Sequence, residues 1–256
     1  MFDLTQKNAF ITGGASGIGF AVASAFKGQG ANVVIADVKG FEDAAANLGV
    51  HGVHCDVSDE KSVHRAMCAA TELFGQLIDI TVLNAGLGDV GDLIENTTME
   101  LTERVTKVNY FGVMLGLKYA PSQMNDGGAI ICTSSMAAHI NLPGSAAYSA
   151  SKKAVISLTE MAALELGARQ IRVNCVCPGY TDTAMGSGDE GRILSRYFTA
   201  LGRGATVEDL IGSFVFLASD ASRYITGHAL NVDGGWSCGP TSQLLETVMG
   251  SSVSPG

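Results

Sequence analysis

The stretch Asn8-Ala9-Phe10-Ile11-Thr12-Gly13-Gly14-Ala15-Ser16-Gly17-Ile18-Gly19-Phe20-Ala21-Val22-Ala23-Ser24-Ala25-Phe26 reads as a short apolar strand, a glycine turn and an amphipathic helix. Glycine allows the tight turn and the close approach of main chain to a ligand. A helix that starts directly after it offers unpaired N–H groups and the positive end of its dipole. Anion binding at Gly13, Ser16, Gly17, Ile18 and Gly19 follows from that geometry. The spacing is G-x-x-x-G-x-G rather than G-x-G-x-x-G, so the turn needs support from elsewhere in the chain.

Support comes from the next strand, Asn32-Val33-Val34-Ile35-Ala36-Asp37, which ends in a carboxylate 18 residues beyond Gly19. An acid at that place accepts hydrogen bonds from the ribose of an adenine dinucleotide and repels a 2′-phosphate. The pattern therefore points to NAD over NADP, although Lys39 stands two residues on and weakens the discrimination.

Further strand-length apolar runs at Ile80 to Leu83, Ala129 to Thr133 and Arg172 to Val176 alternate with longer helical patterns. Continuous apolar runs suit strands covered on both faces, so the expected fold is a doubly wound α/β parallel sheet with helices on both sides, in a single domain spanning 1–256. Two long helices are expected, from about Thr98 to Gln123 and from about Ala146 to Gly167. A third strand at His54-Cys55-Asp56 would end in Asp56, which either reaches the adenine or caps the helix that begins after Ser58. The segment Thr181 to Gly204, rich in glycine and polar residues, reads as a long loop or lid over a substrate.

The bulk numbers narrow the function. The chain has 256 residues and a net charge of −9, and it contains no run of basic residues, so nucleic-acid binding is not expected. No apolar run reaches membrane-span length, and the first residues lack a basic-then-apolar pattern, so a cytoplasmic location is expected. Hydrophobic residues make up 46% and charged residues 16%, a balance that favours surface covered by other subunits. Six cysteines and five histidines show no metal-ligand spacing, and no metal is expected.

In the second half, Tyr148 and Lys152 stand four apart at the start of a helix and so share one face, with Ser135 thirteen residues before the tyrosine at a strand end. Together with Thr12 to Gly19, Asn84-Ala85-Gly86, Asn109, Pro178-Gly179 and Val232-Asp233-Gly234-Gly235, these residues make the chain resemble the short-chain dehydrogenase/reductase family from about residue 5 to residue 236. The resemblance implies a Rossmann-type fold and hydride transfer between NAD and a secondary alcohol or ketone. Tyr148 would act as general acid and base, Ser135 would bond the substrate oxygen, and Lys152 would lower the phenol pKa and hold the nicotinamide ribose. Asn109 would hold a water linking the lysine to solvent. Cofactor contacts would come from Asp56, Val57, Asn84, Ala85, Gly86, Pro178, Gly179, Thr181 and Thr183.

Leu83 stands where many relatives carry a second Asn, and it is expected simply to pack. Ser134 is a rival to Ser135 if the strand ends differently. Substrate specificity is expected on Met136 to Leu142, Leu87 to Asp89 and Tyr180 to Tyr197. The apolar character of Ala137, Leu142, Tyr180 and Met185 suits a hydrophobic or cyclic alcohol, and His139 either bonds the substrate or packs. A homotetramer is expected. An NADP-dependent carbonyl or 3-oxoacyl-acyl-carrier reductase is the alternative, and a non-catalytic dinucleotide binder is a third class.

Overall fold

The chain was analysed as a computed structural model that describes residues 2–88, 92–183, 185 and 189–250. Strands form where β-branched and aromatic residues cluster between glycine turns: β1 (Asn8–Thr12), β2 (Asn32–Asp37), β3 (His51–His54), β4 (Ile78–Leu83), β5 (Met124–Thr133), β6 (Arg172–Pro178) and β7 (Ala229–Val232). Among the described residues these make one parallel sheet in the order β3-β2-β1-β4-β5-β6-β7. The order reverses between β1 and β4. A crevice at such a switch point, beyond the carboxyl ends of the strands, is where open α/β sheets take their ligands.

Period-two alternation sends side chains to two separate cores. On one face Phe10, Val34, Ile130, Cys132, Val173 and Cys175 pack against α3 (Glu60–Phe74), α5 (Gly112–Tyr119) and α6 (Ala146–Leu166). On the other Ile11, Val33, Ile35, Val82, Ile131 and Val176 meet α1 (Gly17–Gly28), α2 (Phe41–Leu48) and α8 (Val207–Ala218). Phe10, Phe26 and Phe214 are fully buried, each contributing about 2–3 kcal/mol of transfer free energy. Cys55, Cys132, Cys175 and Cys177 are buried, and the six cysteines are free thiols.

The first long helix is continuous in direction but not in winding. It begins as α4 (Met99–Thr106), passes through a π turn at Lys107–Phe111 and continues as α5 into a tight 3-10 turn at Ala120–Gln123. The second runs Ala146–Leu166, as its spacing predicts.

Three expectations need correction. The segment Thr181 to Gly204 is not one long loop, because Asp189–Phe198 forms helix α7, with Ile193, Leu194, Tyr197 and Phe198 on one face at helical spacing, a short pattern set among glycines and polar residues. The third strand ends at His54, two residues before Asp56: the Cys55 N–H still donates to the Asp37 carbonyl at 2.9 Å, and the chain then turns over Asp56 to Asp59, with the Asp59 N–H on the Asp56 carbonyl at 3.1 Å. Asp56 does not cap α3 either. Asp59 does so through the Lys61 N–H, and Asp56 accepts instead from the N–H and hydroxyl of Ser58. A further helix, α9 (Ser242–Met249), follows Trp236, where the sequence suggested no element.

Candidate active site

The glycine turn is built for close approach. Gly13 has φ +65°, and a Cβ there would lie 2.8 Å from the Ala85 Cα, so this position demands glycine on both counts. Ser16 precedes α1 in extended conformation, and its side chain makes no capping hydrogen bond. The first N–H groups of α1 thus keep their donor capacity for a ligand, and a diphosphate is the group that such a terminus favours. Asp37 comes to the same place from β2. One of its oxygens accepts from the Ala15 N–H at 3.2 Å and the other from the Val38 N–H at 2.8 Å.

Thr12 and Asn84 lock β1 to β4 beside this turn. The Thr12 hydroxyl accepts from the N–H groups of Asn84 and Ala85 at 3.0 and 3.2 Å. The Asn84 amide donates to the carbonyls of Thr12 and Gly13, and its oxygen accepts from the Thr133 hydroxyl. Asn84 is therefore a strut that fixes the walls of the cleft. Thr12 and Thr133 share that task, and sequence reasoning did not single them out. Leu83 packs as expected, buried against Gly116, where a Cβ would approach it to 2.4 Å.

The four residues Asn109, Ser135, Tyr148 and Lys152 converge from three elements. Asn109 lies in the π turn, a one-residue insertion of the kind that often re-aims a side chain at functional sites. Its oxygen accepts from the Leu87 N–H at 2.7 Å, and its amide donates to the Leu87 carbonyl at 2.9 Å and the Ser151 hydroxyl at 3.1 Å. Lys152 is buried and donates to the Thr133 carbonyl at 2.8 Å. A Cβ on Gly86 would sit 3.3 Å from both the Asn109 Oδ1 and the Lys152 Nζ, so glycine leaves this corner clear. Ser151 was not among the expected site residues. Its signal was a buried hydroxyl on the helix directly before the lysine, bonded back to the Tyr148 carbonyl at 2.7 Å.

Ser135 and Ser134 are separated by their partners. Ser134 donates to the Lys152 carbonyl at 2.7 Å and is spent on structure. The Ser135 hydroxyl accepts from the Ala137 N–H at 3.2 Å and lies beside the Tyr148 phenol. Burial raises the phenol pKa above its ordinary value, and the Ser135 hydroxyl opposes that rise. Burial also depresses Lys152, to about 8, so the amine keeps most of its charge at neutral pH. The Lys152 Nζ lies 5.7 Å from the centre of the Tyr148 ring.

The far side of the cleft comes from β6 and the segment after it. Pro178 pairs with Val232, and the Gly179 N–H donates to the Val232 carbonyl at 2.9 Å. A Cβ on Gly179 would lie 2.8 Å from the Asp233 Cα, which explains the glycine. Thr181 is buried with its hydroxyl turned to the Gly179 carbonyl at 3.0 Å, whereas Thr183 reaches across to within 3.7 Å of where a Cβ on Gly17 would stand. Val57 is buried against Gly112. Met136 to Ala138 form a buried apolar wall beyond Ser135, and Met185 extends over Gly88. His139 is exposed, with its ring beside the Cys177 thiol. Asp89 and residues 184 and 186–188 of the expected specificity segments lie outside the described residues.

Among the described residues no group of three or more His, Cys, Asp and Glu side chains is arranged to hold a metal, and no helix is long and apolar enough to cross a membrane.

Known proteins share this arrangement. A family model described as Enoyl-(Acyl carrier protein) reductase matches residues 13–237. The mitochondrial borneol dehydrogenase of Lavandula x intermedia is 42% identical over 239 residues, covering 91% of each chain. The cis-4-hydroxycyclohexanecarboxylate dehydrogenase of Sinomonas cyclohexanicum is 38% identical over 241 residues, covering 90% of this chain and 96% of its own. The crystal structure of a short-chain type dehydrogenase/reductase from Mycobacterium marinum superposes with a TM-score of 0.86 at 37% identity, covering 93% of this chain and 98% of the other. With the ordered motifs, the parallel sheet and these relatives in agreement, the chain belongs to the short-chain dehydrogenase/reductase family and is an oxidoreductase that works with a nicotinamide dinucleotide.

Proposed function

We propose that the protein interconverts a cyclic, largely apolar secondary alcohol and its ketone, with NAD as the hydride carrier. The observation that carries this reading is the convergence of Ser135, Tyr148 and Lys152 at the carboxyl edge of the sheet, between the glycine turn and the apolar wall Met136–Ala138. When bound, the dinucleotide supplies the hydride acceptor or donor. The uncapped start of α1 and the glycine cradle suit its diphosphate, and Asp37 suits an unphosphorylated ribose.

Tyr148 moves the proton at the substrate oxygen, as base in oxidation and as acid in reduction. Ser135 donates to the same oxygen and favours its developing negative charge. Lys152 holds a cation beside the phenol, and its burial away from water depresses its pKa. Asn109, braced by Leu87 and Ser151, fixes the wall next to that cation. Of the remaining expected cofactor contacts, Gly86, Pro178, Gly179 and Thr183 border the cleft. Asp56 and Val57 follow β3 beside the Asp37 end of β2, a position suited to an adenine, and the Thr181 hydroxyl is turned to the Gly179 carbonyl.

The borneol and hydroxycyclohexanecarboxylate relatives support a ring-bearing alcohol. A homotetramer fits the exposed apolar side chains Met99, Phe111 and Met114 along α4 and α5 and Met161 and Leu164 on α6, which a second copy would cover.

The test is a panel of monocyclic and bicyclic alcohols, open-chain alcohols, sugars and acyl-carrier substrates, assayed with NAD and with NADP. Turnover of ring alcohols with NAD is expected. Turnover confined to 3-oxoacyl carriers with NADP would replace this reading with the reductase alternative.

A further inference from the structure

The aromatic ring that follows Pro178-Gly179 occupies a slot made of two glycines. A Cβ on Gly191 would fall 1.7 Å from the Tyr180 Cε2, and one on Gly204 would fall 2.8 Å from its Cδ1. Neither glycine has a positive φ, so the main chain at both positions accepts alanine and only the ring excludes the methyl. Gly191 is also in the first turn of α7, where alanine is the better helix former, and its presence is explained by the ring alone.

Around the ring the main chain is pinned on both sides. The Ala205 N–H donates to the Tyr180 carbonyl and the Asp182 N–H to the Ala205 carbonyl, both at 2.9 Å, and Arg192 of α7 pairs with Asp182 at 3.1 Å. Positions 191, 195 and 199 share one face of the helix. Ser195 on that face is fully buried, with its hydroxyl on the Gly191 carbonyl at 2.7 Å. At the other end of α7, Phe198 stacks on Trp236 at 5.4 Å and Thr241 bonds the Tyr197 carbonyl.

We propose that Tyr180 is a positioning residue: its ring, slotted between Gly191 and Gly204, latches α7 onto the strand end that carries Pro178 and Gly179, and so sets the shape of the substrate side of the cleft. The inference rests on the dehydrogenase reading for its effect on substrate, but the latch itself has a readout of its own. Thr183 sits next to the glycine turn and Met185 over Gly88, a few residues beyond Tyr180, so displacing the ring moves both walls that face a bound substrate and cofactor.

The experiment uses the full chain with Gly191→Ala, Tyr180→Ala, Tyr180→Phe and the double variant Tyr180→Ala/Gly191→Ala. Arg192 and Arg196 lie within α7, where the helical backbone resists trypsin until the helix lifts, so the cleavage rate there reports docking without any substrate. Gly191→Ala is expected to speed that cleavage about tenfold and to raise KM for a ring alcohol about tenfold, with kcat within about threefold and Tm little changed. The double variant should be no worse than Tyr180→Ala alone, because the methyl then has no ring to meet, and Tyr180→Phe, which keeps the ring, should stay closer to wild type than Tyr180→Ala. Wild-type cleavage in Gly191→Ala, or additive losses in the double variant, overturns the latch. If cleavage rises as expected while the unmodified protein turns over no alcohol in the panel, the latch stands and the dehydrogenase reading falls.

Discussion

The Ser134 hydroxyl reaches the Lys152 carbonyl at 2.7 Å, while the hydroxyl of its neighbour Ser135 meets the Tyr148 phenol. Two adjacent serines thus serve opposite ends of one helix turn, one bracing the backbone and the other facing the substrate. Ser135→Ala should lower kcat/KM by about 10²–10³, the usual cost of losing a donor to a developing oxyanion. Ser134→Ala should cost less than about tenfold in rate but about 1 kcal/mol in stability. Steady-state kinetics and urea unfolding of the two variants separate the roles, and an equal or larger rate loss at Ser134 reverses the assignment.

Burying Lys152 carries a measurable penalty in the cofactor-free protein. Its pKa falls from 10.5 in its ordinary state to about 8 in the folded chain. Below about 8 both states hold the proton and the penalty is constant. Between the two values the unfolded chain binds more protons, so this group makes stability rise with pH across that window. The shift amounts to about 3 kcal/mol, less about 1 kcal/mol for the bond to Thr133. Lys152→Met should therefore stabilise the cofactor-free protein by about 2 kcal/mol at pH 7, with the gain shrinking towards pH 10 and with activity lost. Urea titrations at pH 7 and pH 9.5 check the direction. A destabilised variant at pH 7 would refute it.

Asp37 has a main-chain partner on each oxygen, Ala15 on one side and Val38 on the other, so its carboxylate is aimed before any ligand arrives. Asp37→Ala should reduce kcat/KM with NAD by about 10- to 100-fold through lost ribose bonding and improve NADP relative to NAD. The ratio of the two specificity constants is the measurement. An unchanged ratio would mean that cofactor choice is made elsewhere.

Ser151 acts through Asn109. Ser151→Ala removes the partner of the Asn109 amide, and kcat should fall about tenfold with KM for the alcohol little moved, as expected when an interaction made in the transition state is loosened. A rise in KM at constant kcat would instead place Ser151 in substrate binding.

The parallel sheet with helices on both faces was legible because the strands at Asn8, Asn32 and Ile80 carry apolar runs and the glycine turn sits between the first strand and its helix, whereas the strand order came only from the structure. The pairing of Tyr148 with Lys152 was legible because spacing on a helix face is a property of the sequence itself. The helix at Asp189–Phe198 was missed although Ile193, Leu194, Tyr197 and Phe198 repeat at helical spacing, because the repeat is short and is set among glycines and polar side chains. Asp56 was misplaced for a related reason: two residues of irregular chain after His54 look the same in sequence as two more residues of strand. Thr133 and Ser151 escaped notice, and Thr12 was read only as part of the glycine motif, because a hydroxyl declares its role only once its partner is known.

Leu83 and Gly116 carry a consequence for descent. The leucine fills the space a methyl group on residue 116 would need, so the two positions are inherited as one character spread over two helix-and-strand neighbours. A lineage that keeps leucine at 83 accepts alanine at 116 only by moving the leucine methyls, whereas one that shortens residue 83 is released to fill the gap from the helix side. Homologues of this chain should accordingly show the two positions changing together, and a library randomised at both should return pairs of nearly constant combined volume.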